Sequence, residues 1–434
     1  MGYFNVPTVD AIPYLGKLST NWMQPNNAIN SLIDQQIDTP IPLEHSSWIS
    51  KVSSAFMSYD EFQCCKEEWQ TLLKRSNADP LFMSWHWQFA WWQTWGELLG
   101  LDLKVFKFWH DDVLIGIIPM CLDKQSSFPG IKRPRLQFIG NRWRTTPTVR
   151  TEYVGPIFDA DYESELYDYF INILADQPVW EITFADLHHK TLAKLLDAIQ
   201  NNRKGAKFSA VTLATSVGVS VSTDSAYEAF LAKLSRNSRS KFFNCQKKLP
   251  KLDICFSNLK NTSTFLHTLN KFHKSRWGRP VFQGSAFTFH ENFLASIALD
   301  SSLTPILSAM YQHDSAVSVS YNVQAGNTVY NIQSGYEESF GHGLSLGKAH
   351  LGHIIKSCFH SKDIMAFDLL AGSGKHMNFK KSLSGSEKNI STVALLRKNH
   401  VTWAILAWLY VKPKLKPIYI PLRQVLRRLT SNNK

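Results

Sequence analysis

Two short hairpins, one in each half of the chain, constrain its fold more than any other feature. Leu103–Leu122 reads LKVFKFWHDDVLIGIIPMCL and Ile306–Tyr321 reads ILSAMYQHDSAVSVSY. Each is an apolar strand, a polar turn built on His-Asp, and a second strand. The His-Asp pairs are His110-Asp111 and His313-Asp314, and 313 − 110 = 203 residues separate them. Helical sequence precedes each hairpin, and β–α alternation follows further on. A hairpin repeated at equivalent places in two halves of similar length predicts two copies of one α/β unit, dividing near residue 215.

The remaining segments fit that frame. Residues 1–45 are rich in Pro, Asn and Gln with little periodicity and read as an extended N-terminal arm. Residues 46–215 and 216–398 form the two lobes. Residues 399–434 read as a basic amphipathic tail, with Lys412, Lys414, Lys416, Arg423, Arg427 and Arg428 interleaved with Ile418, Ile420, Leu422, Val425, Leu426 and Leu429. Such a tail suits peripheral contact with an anionic membrane face, or packing on the body of the protein. The longest apolar run, Val401–Val411, is too short to span a bilayer.

Charge and cysteine usage narrow the partners. Lys+Arg 47 against Asp+Glu 35 gives +12, which favours anionic partners: phosphates, acidic glycans, nucleic acid or a membrane face. The six cysteines show no CxxC and no His/Cys ligand spacing, so they read as free thiols in a reducing compartment, with no metal site. The N-terminus has no basic stretch followed by an apolar one, which predicts a cytoplasmic protein. Classical Ser–His–Asp hydrolysis lacks its GxSxG, and Gly341–Lys348 lacks the GK[ST] of a nucleotide P-loop.

Three helical stretches carry distinctive side chains. Ser84–Leu99 (SWHWQFAWWQTWGELL) holds five tryptophans, which suit a core or inter-lobe contact more than a stacking platform for sugars or bases. Ser235–Leu252 (SRNSRSKFFNCQKKLPKL) holds six positive charges and no acid, as either an anion-binding helix or a solvated basic face would. Phe265–Trp277 is an amphipathic helix ending in Arg276-Trp277, and Phe287–Ala298 is another helical stretch.

Tyr330–Lys381 reads as strand, Gly-rich loop, helix, strand, and a second loop with a basic cluster. Gly341, Gly343 and Gly347 break the strand, with Ser345 and Lys348 close by. Leu351, Ile354, Ile355 and Phe359 then fall at helical spacing. A Gly-rich turn feeding a helix start presents N–H groups and the positive end of the dipole to an anion such as the phosphates of a cofactor. The same pattern also serves as an ordinary β–α connection.

The order of these motifs resembles the CelD-like acetyltransferase family of the GNAT superfamily, close in architecture to the FemAB-type aminoacyl transferases. The resemblance covers most of residues 60–395. It rests on Ser235-Arg236-Asn237-Ser238-Arg239 and the basic helix after it, Phe272–Trp277, Ile332–Tyr336, Leu344–Lys348, and Phe367–Gly372 leading to Phe379-Lys380. It implies two tandem GNAT-like lobes, each a mixed, mostly antiparallel sheet flanked by helices. It also implies acyl transfer from acetyl-CoA or another acyl-CoA to an amine or hydroxyl, such as a glycan, often in exopolysaccharide, cellulose or cell-envelope synthesis.

By the same resemblance the pyrophosphate falls on Gly343, Ser345, Gly347 and Lys348, and the backbone near Gln333 and Ser334 serves the thioester. Asp368 is the first candidate for the base, with His342 and His273 as alternatives, and Tyr336 is placed to protonate the leaving thiolate. Arg276, Trp277 and Lys380 are assigned to the acceptor, and Arg236 and Arg239 to phosphates. Two positions depart from the family pattern: Leu346 stands where Pro is usual, and Phe379 where Tyr is usual. A FemAB-like transferase using aminoacyl-tRNA, and a non-catalytic scaffold or glycan-binding subunit, are the alternatives.

Overall fold

The structure is a computed structural model that describes residues 51–398, apart from 125–126, 129–130, 133, 144–145, 342 and 373–374. The expected arm, the expected tail and His342 therefore lie outside the described residues. The first half runs β1 (Val52–Phe56), α1 (Tyr59–Cys64), α2 (Lys66–Lys74), α3 (Trp85–Trp95), β2 (Leu101–His110) and β3 (Val113–Asp123). It continues through a small hairpin, β4 (Ser127–Phe128) and β5 (Ile131–Lys132), to β6 (Arg135–Phe138), β7 (Ile157–Phe158), α4 (Glu163–Asp176), β8 (Glu181–His188), α5 (His189–Asn201) and β9 (Phe208–Ser222). The second half runs α6 (Tyr227–Lys233), β10 (Ile254–Asn258), α7 (Thr262–Trp277), α8 (Ser285–Ala298), β11 (Leu303–Gln312), β12 (Ser315–Ala325) and β13 (Thr328–Tyr336). It ends with α9 (Leu346–Phe359), β14 (Ala366–Gly372), α10 (Lys375–Lys381) and β15 (Ser386–Arg397).

The internal repeat is present in the backbone, at a spacing one residue shorter than the His-Asp pairs suggest. The turns are Asp111-Asp112 and His313-Asp314, each opening on a residue with positive φ, 51° at Asp111 and 53° at His313. Their spacing is 313 − 111 = 202. A β-bulge follows the same rule, between Phe108 and Trp109 in one hairpin and Met310 and Tyr311 in the other, and 310 − 108 = 202. The edge strands β1 and β10 begin 254 − 52 = 202 residues apart. Burial along β3 and β12 is identical position by position. A shared dipeptide suggested the wrong register because the turn position is set by ladder pairing and a tolerated left-handed residue, and Asp and His both tolerate that conformation.

All but the small hairpin join one 13-stranded sheet, ordered β1-β2-β3-β6-β8-β15-β9-β14-β13-β12-β11-β10, with β7 on β3. The order is a near-palindrome with its last strands exchanged. The first half ends in β9, which pairs with β14 of the second half; the second half ends in β15, which pairs with β8 of the first. The two exchanged strands also pair with each other from Ser386↔Ser220 to Arg397↔Phe208. Residue 215 falls inside β9.

The tryptophan-rich helix is core. Ser84 caps α3 by accepting from the Trp87 amide, and Trp87, Trp91 and Trp95 are buried. Trp87 meets Phe289 and Phe293 of α8 edge to face, at ring separations of 5.0 and 5.1 Å. Helices α3 and α8 occupy equivalent places in the two halves, so the repeated units pack on each other through these rings. Each buried indole removes on the order of 200 Å² from water, about 5 kcal/mol as an upper figure.

Candidate functional site

The second half opens its sheet where the sequence places the Gly-rich loop. Strand β13 runs parallel to β14 only at Thr328↔Ala366, Val329↔Phe367 and Tyr330↔Asp368. Beyond this β14 bends through a bulge, with Leu370 at φ 58°, and stays with β9, while β13 continues along β12 to Tyr336. The two strands therefore part after Tyr330. On the parted edge the Ser334 carbonyl lies 3.0 Å from His273 Nε2, and the Ser334 amide donates to Gln333 Oε1 at 3.0 Å.

The loop after β13 leads straight to the start of α9. Gly341 and Gly343 have φ of 75° and 62°, which the turn requires and β-carbons disfavour. Leu346 is buried among Leu249, Ile254, Met310 and Val317, so an apolar anchor holds the turn where the family pattern uses Pro. Ser345 stands at the N-cap without a side-chain cap bond, and no acidic residue lies in the first turn. The equivalent helix of the first half, α4, starts with Glu163 and Glu165. Carboxylates there complement the helix dipole, whereas no acidic side chain in the first turn offsets the positive end of α9. Lys348 extends over the rings of Phe242 and Phe379, at 5.5 and 5.9 Å; burial, with Lys241 next, lowers its amine below the ordinary lysine range.

Tyr336 closes this corner. Its hydroxyl accepts from Arg276 Nη1 at 2.7 Å, and Arg276 Nε pairs with Glu338 at 2.7 Å. The guanidinium also lies 4.7 Å from the Trp277 ring and 5.0 Å from that of Tyr336. A β-carbon at Gly347 would come within 2.5 Å of the Tyr336 ring. Gly347 thus faces Tyr336, and its lack of a side chain lets the ring lie against the helix start.

Of the residues singled out from sequence, Tyr336, Gly347, Lys348, Arg276 and Trp277 meet around the start of α9, with Gln333, Ser334 and His273 on the adjoining edge. Arg236 and Arg239 line a shallow surface pocket with Glu228 and Asn244. Their segment is one α-turn, Arg236–Ser238, followed by a π-turn, Arg239–Phe243, and 3-10 turns, instead of the regular basic helix expected; the π-turn packs against α9 at Gly352.

Two residues stand elsewhere than expected. Asp368 is the third residue of β14, not its end, and is fully buried. Its neighbours Phe367 and Leu369 point into the cluster under α9, so by strand alternation Asp368 points to the opposite face and not toward the Gly343–Lys348 turn. There it accepts from Lys388 Nζ at 2.6 Å, the Leu370 amide at 2.7 Å and the Tyr153 hydroxyl at 3.2 Å. Lys380 spends its ammonium on the carbonyls of Leu369, Leu370 and Ala371, at 2.5, 2.9 and 2.9 Å, pinning the bulge of β14 instead of reaching an acceptor. Phe379 stacks on Phe242 at 5.5 Å, which accounts for a ring without a hydroxyl at this position.

Sequence reasoning missed the partners that gather beside Asp368. Tyr153, Asp79, Tyr330 and Lys388 come from four separate segments. No local pattern in the sequence marks them. Among the described residues no group of three or more His, Cys, Asp or Glu could hold a metal ion, and no helix is long and apolar enough to cross a membrane.

The description "Acetyltransferase (GNAT) domain" belongs to a family model that matches residues 236–381. Residues 236–381 of the second half are thus similar to a GNAT domain. That match covers the basic segment, the parted strands, the Gly-rich loop and α10, and the 202-residue repeat carries the hairpin of the second half into the first. No curated protein matches the sequence. Among solved structures, FemX is 11% identical, with a TM-score of 0.55, covering 81% of this chain and 99% of that one. L-PGS from Bacillus licheniformis is 12% identical, with a TM-score of 0.46, covering 80% and 95%. A tandem GNAT protein from the clavulanic acid biosynthesis pathway is 8% identical, with a TM-score of 0.44, covering 80% and 99%. The FemX likeness shows a shared fold over 81% of this chain.

Proposed function

We propose that the protein transfers an acyl group, acetyl in the simplest case, from an acyl-CoA to an amine or hydroxyl acceptor, with the second lobe holding the donor. The observation that carries this reading is the start of α9: uncapped, without acid in its first turn, flanked by Lys348 and Lys241, and next to a parted strand edge. The first lobe has glutamates at the same place. The pyrophosphate sits on the N–H groups of Gly343–Lys348, and the thioester arm lies along the edge near Gln333 and Ser334. A thioester is already activated, so catalysis is positioning plus donors for the developing oxyanion. Tyr336, whose oxygen accepts from Arg276, keeps its own proton available for the leaving thiolate.

The test is thermal-shift and calorimetric titration with acetyl-CoA, longer acyl-CoAs and free CoA. A ligand at a hundred times its Kd stabilises by about 2.7 kcal/mol. Lys348→Ala lowers the affinity. No stabilisation by any CoA species overturns the reading.

A second reading, aminoacyl transfer from a charged tRNA, is favoured by one observation. Arg236, Lys241, Lys247, Lys248 and Lys251 are exposed, and among the described residues they form no ion pair with a carboxylate. Its signature is tRNA binding that weakens steeply with salt, without any response to acyl-CoA.

A further inference from the structure

On the face of the sheet that Asp368 occupies, a pocket of about 450 Å³ opens between the two halves of the repeat. Its lining includes Asp79, Tyr153, Tyr330 and Lys388, with His188 and Lys190 near its mouth. Asp79 is half-buried: its Oδ1 accepts the amides of Leu81 and Phe82 at 3.0 and 2.8 Å, and its Oδ2 takes the Tyr330 hydroxyl at 2.9 Å. Tyr330 and Asp368 are the last paired residues before β13 and β14 part. The pocket therefore adjoins the root of the opening assigned to the acyl donor. Asp368 is already matched by Lys388, which leaves Asp79 as the pocket carboxyl without a cationic partner within salt-bridge distance among the described residues.

We infer that this pocket binds the acyl acceptor, a sugar carrying a primary amine, and that Asp79 takes the proton from that amine. The inference rests on the donor reading above. Aromatic and proline walls offer flat apolar surface to a pyranose ring, while Asp79, Lys190 and the neutral His188 at the edge offer hydrogen bonds to its hydroxyls. Burial pushes the Asp79 carboxyl up to about 6, against hydrogen bonds from Phe82 and Tyr330. An ammonium with a pKa of about 8, like an α-amino group, passes its proton to such a carboxylate across a small gap. A sugar hydroxyl does not, which sets the preference for nitrogen.

The reaction then balances. The ammonium proton goes to Asp79, and the freed nitrogen lone pair forms the N–C bond at the thioester carbonyl. The C–S bond breaks with its electron pair kept by sulfur. The second nitrogen proton ends on that thiolate, giving an amide and CoA thiol, and Asp79 returns its proton to water.

The experiment uses the full chain with acetyl-CoA and either glucosamine or galactosamine, following thiol release, with glucose as the control lacking an amine. Asp79→Asn keeps an oxygen for the two amides, so the turn survives. It is expected to lower kcat/KM at least 100-fold while CoA affinity stays within twofold; Asp79→Glu recovers part of the loss. Thr191→Trp, which fills the pocket from α5, is expected to raise the KM for the amino sugar about tenfold with CoA affinity unchanged. Asp79→Asn or Thr191→Trp acting like wild type, glucose serving as well as glucosamine, or neither amino sugar being bound or acylated overturns the inference and leaves donor binding standing. Glucosamine binding that Asp79→Asn abolishes, in a protein that binds no CoA, supports the pocket and sinks the donor reading.

Discussion

The Tyr153 hydroxyl, from the first half of the repeat, donates to the Asp368 carboxylate of the second at 3.2 Å, and Lys388 from the exchanged strand β15 completes the site at 2.6 Å. Three segments that are distant in sequence thus share one buried charge. Asp368→Ala would leave the Lys388 ammonium without its anion, at a cost of about 3–5 kcal/mol. Tyr153→Phe removes one hydrogen bond, worth about 1 kcal/mol. Urea unfolding of both variants checks this. A stable but inactive Asp368→Ala protein would instead restore Asp368 as a chemical group.

The contact between Gly347 and Tyr336 makes a second prediction. Gly347→Ala places a methyl 2.5 Å from the edge of the Tyr336 ring. Overpacking of this kind costs about 1–3 kcal/mol, and the ring must swing away from Arg276. Lower thermal stability together with weaker CoA binding is expected. In the double variant with Tyr336→Ala the methyl has room, so the two changes should cost less together than the sum of each alone. Strict additivity would argue that the ring does not lie against the helix.

Strand exchange predicts that the halves do not fold separately. A chain cut at residue 215 divides β9, which pairs with both β14 and β15. Expressed alone, residues 51–215 lose the β15 partner of β8, and residues 216–398 lose most of β9. Neither fragment should show a cooperative thermal transition, while co-expression restores one. A cooperative transition in either fragment alone would mean that the exchange is dispensable.

Acid sensitivity follows from two buried histidines. His350 on α9 lies between the Ser308 and Ser318 hydroxyls, at 2.9 Å to each, and His290 on α8 packs on Phe282 with ring centres 3.9 Å apart. Burial holds each near 3 in the folded chain. The unfolded chain takes up these protons near pH 6.5, so their contribution is fully present above 6.5. It falls as the pH drops toward 3, by up to about 1.4 kcal/mol per pH unit for each histidine. Tm measured from pH 7 to 4 should fall, and His350→Asn should flatten the slope. An unchanged slope would mean that His350 becomes charged inside the fold.

How much could be read from the chain alone depended on whether the cause was local. Hydrophobic periodicity set α3, α7, α8 and α9 and the strands from β11 to β14, because side-chain spacing encodes which face is buried. The repeated hairpin disclosed the duplication, and the Gly-rich turn disclosed the start of α9. The tertiary structure decided the rest. Which partner β9 and β15 take depends on pairings between distant residues, from 366 − 222 = 144 apart for β14 with β9 to 396 − 181 = 215 apart for β15 with β8. Asp368 faces away from the Gly-rich turn because strand alternation carries its neighbours, Phe367 and Leu369, under α9. Lys380 looked like an acceptor clamp in a basic cluster, yet a bulge in β14 exposes three carbonyls that consume its charge. The pocket beside Asp79 has no signature in the chain, since its walls come from segments that only the joined sheet brings together.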